Sequence, residues 1–226
     1  MHNLKKQNPI VAALTATIGT AVIAAMAYLL FEPTAMLAAT DTDSFTVRQE
    51  IGAEISFSTV SGDINMGGSA IGGATGGNRN GSTTVGITTN NAAGYQLDIQ
   101  FESANGMEHP TETDFIDYYA TTSPDYTMNL GANSSGFAYS VSSTAPTNSI
   151  SSFDNNGSSC GVGSNKSISN CYVMQGTPTS GATIVNTTDT ATDELTTIGF
   201  RVMVAAGSGL ANGFYYATTT LTATTN

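Results

Sequence analysis

The chain has 226 residues, a formal net charge of −11 and only 10% charged residues. Beyond residue 39 the basic residues are Arg48, Arg79, Lys166 and Arg201, against sixteen acids, a balance that repels nucleic acid and anionic lipid and sets nucleic-acid binding aside. An apolar fraction of 40% with so little charge is not the signature of disorder, and points to a β protein with an uncharged skin of Thr, Ser, Asn and Gly.

The first element is the uncharged run Ile10 to Phe31, which follows Lys5 and Lys6. As a helix it would be about 33 Å long, enough to cross a bilayer core of about 30 Å. The preceding lysines predict an N-terminus that stays inside and a remainder that crosses. Two readings stay open. A cleavable signal peptide is favoured by Pro33, which breaks the helix, and by the small residues of Met36 to Thr40, with a cut after Ala39. Against it stand the length of the run and the bulk of Leu37. A retained membrane anchor fits the length, although a run rich in Ala, Thr and Gly is a mediocre span. A buried core helix lacks helical partners later in the chain. On either main reading, residues 1–39 form the export element and 40–226 an extracellular domain. The C-terminal TLTATTN carries no apolar tail or sorting-type motif, so residues 10–31 are the expected sole hold on a membrane.

The exported part reads as strands. Phe45 and Val47 alternate with Thr46 and Arg48, and Ile55 and Phe57 with Glu54, Ser56 and Ser58, which predicts half-buried strands divided near Gly52. The glycine-rich run Met66 to Ser82 has neither the Lys-Ser/Thr of a phosphate-binding loop nor a following helix, and is expected to be a turn or crossover. Val85 and Ile87 alternate before NNAAG, and Tyr95, Leu97, Ile99 and Phe101 after it, predicting a hairpin about that turn. Phe137, Tyr139 and Val141 mark another strand. Near the C-terminus Thr196, Ile198, Phe200, Val202 and Val204 share one face, and a second hairpin is expected across GSGLANG to the strand from Tyr215 to Ala223. Nine or ten strands without interleaved helices predict an all-β, antiparallel β-sandwich, Ig-like or jelly-roll, preceded by the N-terminal hydrophobic helix.

Cys160 and Cys171 bracket ten loop-like residues, which in an exported chain reads as a local disulfide; two thiolates without nearby ligands make a poor metal site. His109, near Glu108, Glu112 and Asp114, lacks the second His of a helical zinc motif, and Pro110 blocks the helix. No nucleophile elbow accompanies it. No catalytic residue, cofactor or metal ligand is therefore assigned. Calcium is the one metal weighed, at Asp41 with Asp43, at Asp154 with Asn155 and Asn156, and at Asp189 with Asp193 and Glu194, though none forms an EF-hand loop. Five N-x-S/T triplets, at Asn80, Asn133, Asn156, Asn165 and Asn186, mark surface loops. Tyr118, Tyr119 and Tyr126 are the aromatic candidates for stacking on a sugar ring.

The segments SFTVRQEIGAEISF, GGNRNGSTTVGITTNNAAGYQLDI, the two-cysteine loop ending NCYVM, and GFRVMVAAGSGLANGFYYATTTLTATTN resemble a group of uncharacterised secreted or surface β-sandwich proteins of the small-genome bacteria of the candidate phyla radiation. The resemblance covers most of residues 43–226. It implies an exported surface protein and carries no activity or catalytic residues with it. The terminal strand is loosely similar to the last strand of pilins that pair edge to edge. The apolar run is similar to that of type IV pilins, but their processing site is absent. The resulting expectation is a non-enzymatic structural or interaction protein of the cell surface that self-associates through edge strands into a layer or filament, because a long, nearly uncharged, Thr-rich strand is an association hazard at an edge. The alternative is a carbohydrate-binding or adhesin-type module.

Overall fold

The computed structural model describes residues 19–27, 44–119, 121–143, 150–175 and 180–226. Contacts divide the chain into two units, 1–50 and 51–226. In the first, residues 19–27 are helical, with Val22, Ile23 and Met26 exposed, and residues 44–50 have no strand or helix. Among the described residues no helix is long and apolar enough to cross a membrane. The rest of the 10–31 run, the cut after Ala39 and the Asp41–Asp43 pair lie outside the described residues.

The second unit is antiparallel β structure with nine strands among its described residues: β1 (Ile55–Thr59), β2 (Gly77–Thr89), β3 (Tyr95–Phe101), β4 (Met107–Glu108), β5 (Phe115–Ile116), β6 (Ser135–Ser143), β7 (Ala182–Asn186), β8 (Ala191–Val204) and β9 (Thr219–Thr225). They form a four-stranded sheet in the order β1-β2-β8-β6, a three-stranded sheet in the order β7-β3-β9, and the short pair β4-β5.

Neither predicted hairpin forms. β2 and β3 lie in different sheets, as do β8 and β9. What replaces the first hairpin is a long ribbon folded over on itself: β2 pairs along β8, and past the bend β3 pairs along β7. The bend passes through residues 90–94 on one strand and 187–190 on the other. There the Thr187 amide donates to the Tyr95 carbonyl at 2.8 Å and the Tyr95 amide to the Thr187 hydroxyl, also at 2.8 Å. The Asn and Gly residues of NNAAG turn a corner between sheets instead of closing a hairpin, because the strand before it is already taken by β8 along almost its whole length. β9 then adds to the far side of β3 from β7, so residues 205–218 cross between sheets.

The inward faces agree with the period-two reading. Val85, Ile87, Tyr95, Leu97, Ile99 and Phe101 are wholly buried, and Ile198, Phe200, Val202 and Val204 nearly so. Both sheets contribute to one core, whose centre is Phe101 of β3, with Phe137, Tyr139 and Phe200 of the other sheet at ring distances of 5.7, 5.8 and 6.5 Å. β6 departs from the expected alternation, being buried on both faces. Its outer face is roofed by the loop between the two cysteines. The Ser140 hydroxyl donates to the Ser167 and Asn170 carbonyls at 3.1 and 2.5 Å, and Ile168 sits so close over Gly199 that an added Cβ would come within 2.5 Å of it.

Candidate functional site

The β6 and β9 edges of the two sheets are finished in opposite ways; β1 and β7 are the other edge strands. On the β6 side the edge is covered. The outward backbone groups of Phe137 are taken by residues 117–119, through Tyr119 N to Phe137 O at 2.9 Å and Phe137 N to Asp117 O at 2.8 Å. Those of Tyr139 are taken by Val173, through reciprocal bonds at 2.9 and 3.0 Å. Tyr172 next to it lies under the Arg201 guanidinium, 5.2 Å from the ring centre. Cys160 and Cys171 are joined, so the strip that covers this edge is fastened at its start. Lys166 and Asp154 add an ion pair at 3.1 Å within the same loop region.

On the opposite side β1 and β9 run beside one another as the two sheet edges, without hydrogen bonds between them. The register of β9 is bracketed by Glu102 N to Thr218 O and Asn226 N to Gly94 O, each at 3.1 Å. Antiparallel pairing alternates, so the even-numbered residues of β9 bond to β3, while Thr219, Leu221, Ala223 and Thr225 turn their amides and carbonyls outward. Among the described residues no strand takes them. The core is thin here as well. Leu221 and Ala223 are only partly buried, and Phe57, which shares the inward face with its partner Ile87, is 37% exposed. β9 contains no charged residue.

Upstream of β1 the Asn90 carboxamide grips the backbone, accepting from Glu54 N at 2.7 Å and donating to Gly52 O at 3.1 Å. Residues 44–51 were expected to form a half-buried strand. Instead Phe45, Val47 and Ile51 are 86, 82 and 83% exposed and no strand pairs with the segment among the described residues. Alternation reports one apolar face; it does not supply the surface that covers it.

The remaining candidates are used within the fold. The His109 Nδ1 accepts from the amides of Thr111 and Glu112 at 3.3 and 3.0 Å, and its ring packs edge-on to Tyr215. Glu108 accepts from the Ser103 hydroxyl and Asp114 from the Ala211 amide. Asp193 accepts from Ser58 at 2.6 Å, and Glu194 from the Tyr95 hydroxyl at 3.2 Å. The Asn156 carboxamide oxygen is occupied by Ser158 and Ser159 amides. Among the described residues no three His, Cys, Asp or Glu side chains are grouped closely enough to hold a metal ion.

Of the tyrosines singled out for sugar stacking, Tyr126 is half-buried, while Tyr118 and Tyr119 are tied into the fold. Tyr119 is buried and donates to Asp125, and Tyr118 is half-buried and donates to the Ser103 carbonyl, both at 2.5 Å. Among the exposed rings, Phe214 and Tyr216 lie together, 76 and 59% exposed, with ring centres 6.4 Å apart. Tyr216 bridges to Glu108, which pairs with Phe115 on its other side, so Phe115, Glu108 and Tyr216 form one lateral row. Sequence reasoning passed over this row because Tyr215 and Tyr216 read as ordinary strand residues, whereas β9 begins only at Thr219. A shallow polar hollow of about 330 Å³ lies between residues 124–129 and 158–160, lined by Asp125, Tyr126, Asn129 and Ser159 among others.

No family model matches the chain, and no curated protein or solved structure matches it either.

Proposed function

We propose that this chain is an exported, non-enzymatic cell-surface protein whose 40–226 region is a β-sandwich that assembles with further copies through the open edge of β9. The observation that carries the reading is the contrast between the two sides. The β6 edge is bonded away at Phe137 and Tyr139 by residues 117–119 and Val173, whereas β9 keeps four outward residues unpaired among the described residues. Soluble β proteins ordinarily blunt such an edge with charge, proline or cover, and β9 has neither charge nor proline. The disulfide and the uncharged polar skin support export, with residues 10–31 as signal or anchor.

Ala223→Pro tests it. The proline removes an N–H that points outward, so pairing with β3 survives, and the full chain in detergent micelles is expected to lose assembly while keeping its far-UV circular dichroism. Thr222→Pro, which removes a bond to β3, is expected to destabilise the fold instead. Assembly of the Ala223→Pro protein indistinguishable from wild type, by sedimentation velocity, sinks the proposal.

A second reading, carbohydrate binding, is favoured by the exposed Phe214–Tyr216 pair beside the Glu108 carboxylate, since sugars combine stacking on aromatic faces with hydrogen bonds to acids. Glycan-array binding that disappears in Tyr216→Ala supports it; an array that stays silent with the wild-type protein rejects it.

A further inference from the structure

We infer that residues 44–51 of one copy add as a strand to the outward edge of β9 in the next, so that copies join head to tail. The inference rests on the edge-assembly reading above and names the donor segment. Donor and acceptor are each incomplete in a complementary way. The segment SFTVRQEI is without strand or helix, and Phe45, Val47 and Ile51, on one side of its alternation, are left exposed. Eight residues suit the seven of β9. Strand addition satisfies backbone groups on both partners, and alternate side chains fill whatever lies beneath.

Beneath, at this edge, are the half-covered Leu221 and Ala223 of β9 and the partly exposed Phe57 of β1. A strand placed outside β9 with Phe45, Val47 and Ile51 facing inward, and Gln49 with them near its end, would close the core along this side. The other face of the donor, Thr46, Arg48 and Glu50, would then lie on the outer surface of the three-stranded sheet, which bears Asp98 and, just past β3, Glu102. Arg48 is one of only six basic residues in a chain of net charge −11, and copies that repel overall can meet only where acids are absent or answered. β9 supplies the first condition and Arg48 the second.

The test uses the full chain in detergent micelles and two variants, donor-defective Phe45→Asp/Val47→Asp and acceptor-defective Ala223→Pro. Wild type is expected to form a ladder of oligomers. Each variant alone should be monomeric, and an equimolar mixture should stop at dimers, because it contains one intact donor and one intact acceptor per pair. A peptide of residues 44–51 should shorten wild-type oligomers, and a scrambled peptide should not, which keeps the test valid if a variant misfolds. If the donor-defective variant assembles like wild type, the donor assignment fails while edge assembly stands. If both variants are monomeric but their mixture yields no dimers, strand donation is overturned. If wild type is monomeric throughout, with residues 44–51 protected from hydrogen exchange by pairing within one chain, both readings fail.

Discussion

Tyr95 and Glu194 join the two sheets close to the ribbon's bend, the tyrosine hydroxyl donating to the carboxylate at 3.2 Å. Burial pushes the Tyr95 hydroxyl well above the ordinary tyrosine range, with the charge of Glu194 and the hydrogen bond to it acting in the same direction. Burial raises Glu194 in turn, and the bond from Tyr95 offsets part of that rise. A carboxyl whose folded pKa lies above its unfolded value binds more protons folded than unfolded between the two. Stability therefore falls as pH rises through that window, and the group opposes folding at neutral pH. Glu194→Gln keeps an acceptor for Tyr95 and removes the charge. The expected result is a higher melting temperature at pH 7 and a narrowed difference from wild type near the acid end of the carboxylate range, read by differential scanning calorimetry. A lower melting temperature at pH 7 would show that the carboxylate's bond to Tyr95 outweighs its burial.

Among the elements, the bent ribbon of β2-β3 against β8-β7 organises the most and was the least legible. Gly94 sits at its corner with φ +88, and a Cβ there would lie 2.2 Å from the Thr187 carbonyl oxygen. Gly94→Ala is expected to cost about 1–2 kcal/mol for the left-handed backbone and roughly 1–3 kcal/mol more for the overlap, measured as a fall in the urea midpoint; an unchanged midpoint would mean the corner is not held by Thr187. The residues facing the core were legible: Tyr95 to Phe101 and Thr196 to Val204 alternate in the sequence and are buried on the expected face. So was the Cys160–Cys171 pairing, because it is local. Which strand lies beside which was not. NNAAG and GSGLANG carry the residues of tight turns, but whether a turn folds a strand back in its own sheet or sends it to the facing one depends on partners nearly a hundred residues away, such as Thr187 for Tyr95. The candidate site was half legible. The uncharged terminal strand stands out in the sequence, while the exposure of Phe45, Val47 and Ile51 does not, since a covered and an uncovered strand have the same alternation.

Taken whole, the domain is lopsided, and the lopsidedness comes from where its one disulfide sits. The loop between the cysteines roofs the outer face of β6 and β8 and delivers Val173 to the β6 edge immediately after Cys171. If copies join by the strand addition proposed above, that position ties the bond to valence as well as to stability. With the strip fastened, the β6 edge is closed to a donor at Phe137 and Tyr139. With the thiols reduced, the strip would be held only by its hydrogen bonds and by the burial of Tyr172 and Val173, and its release would open that edge to a further donor. Lines of copies would then branch instead of only lengthening.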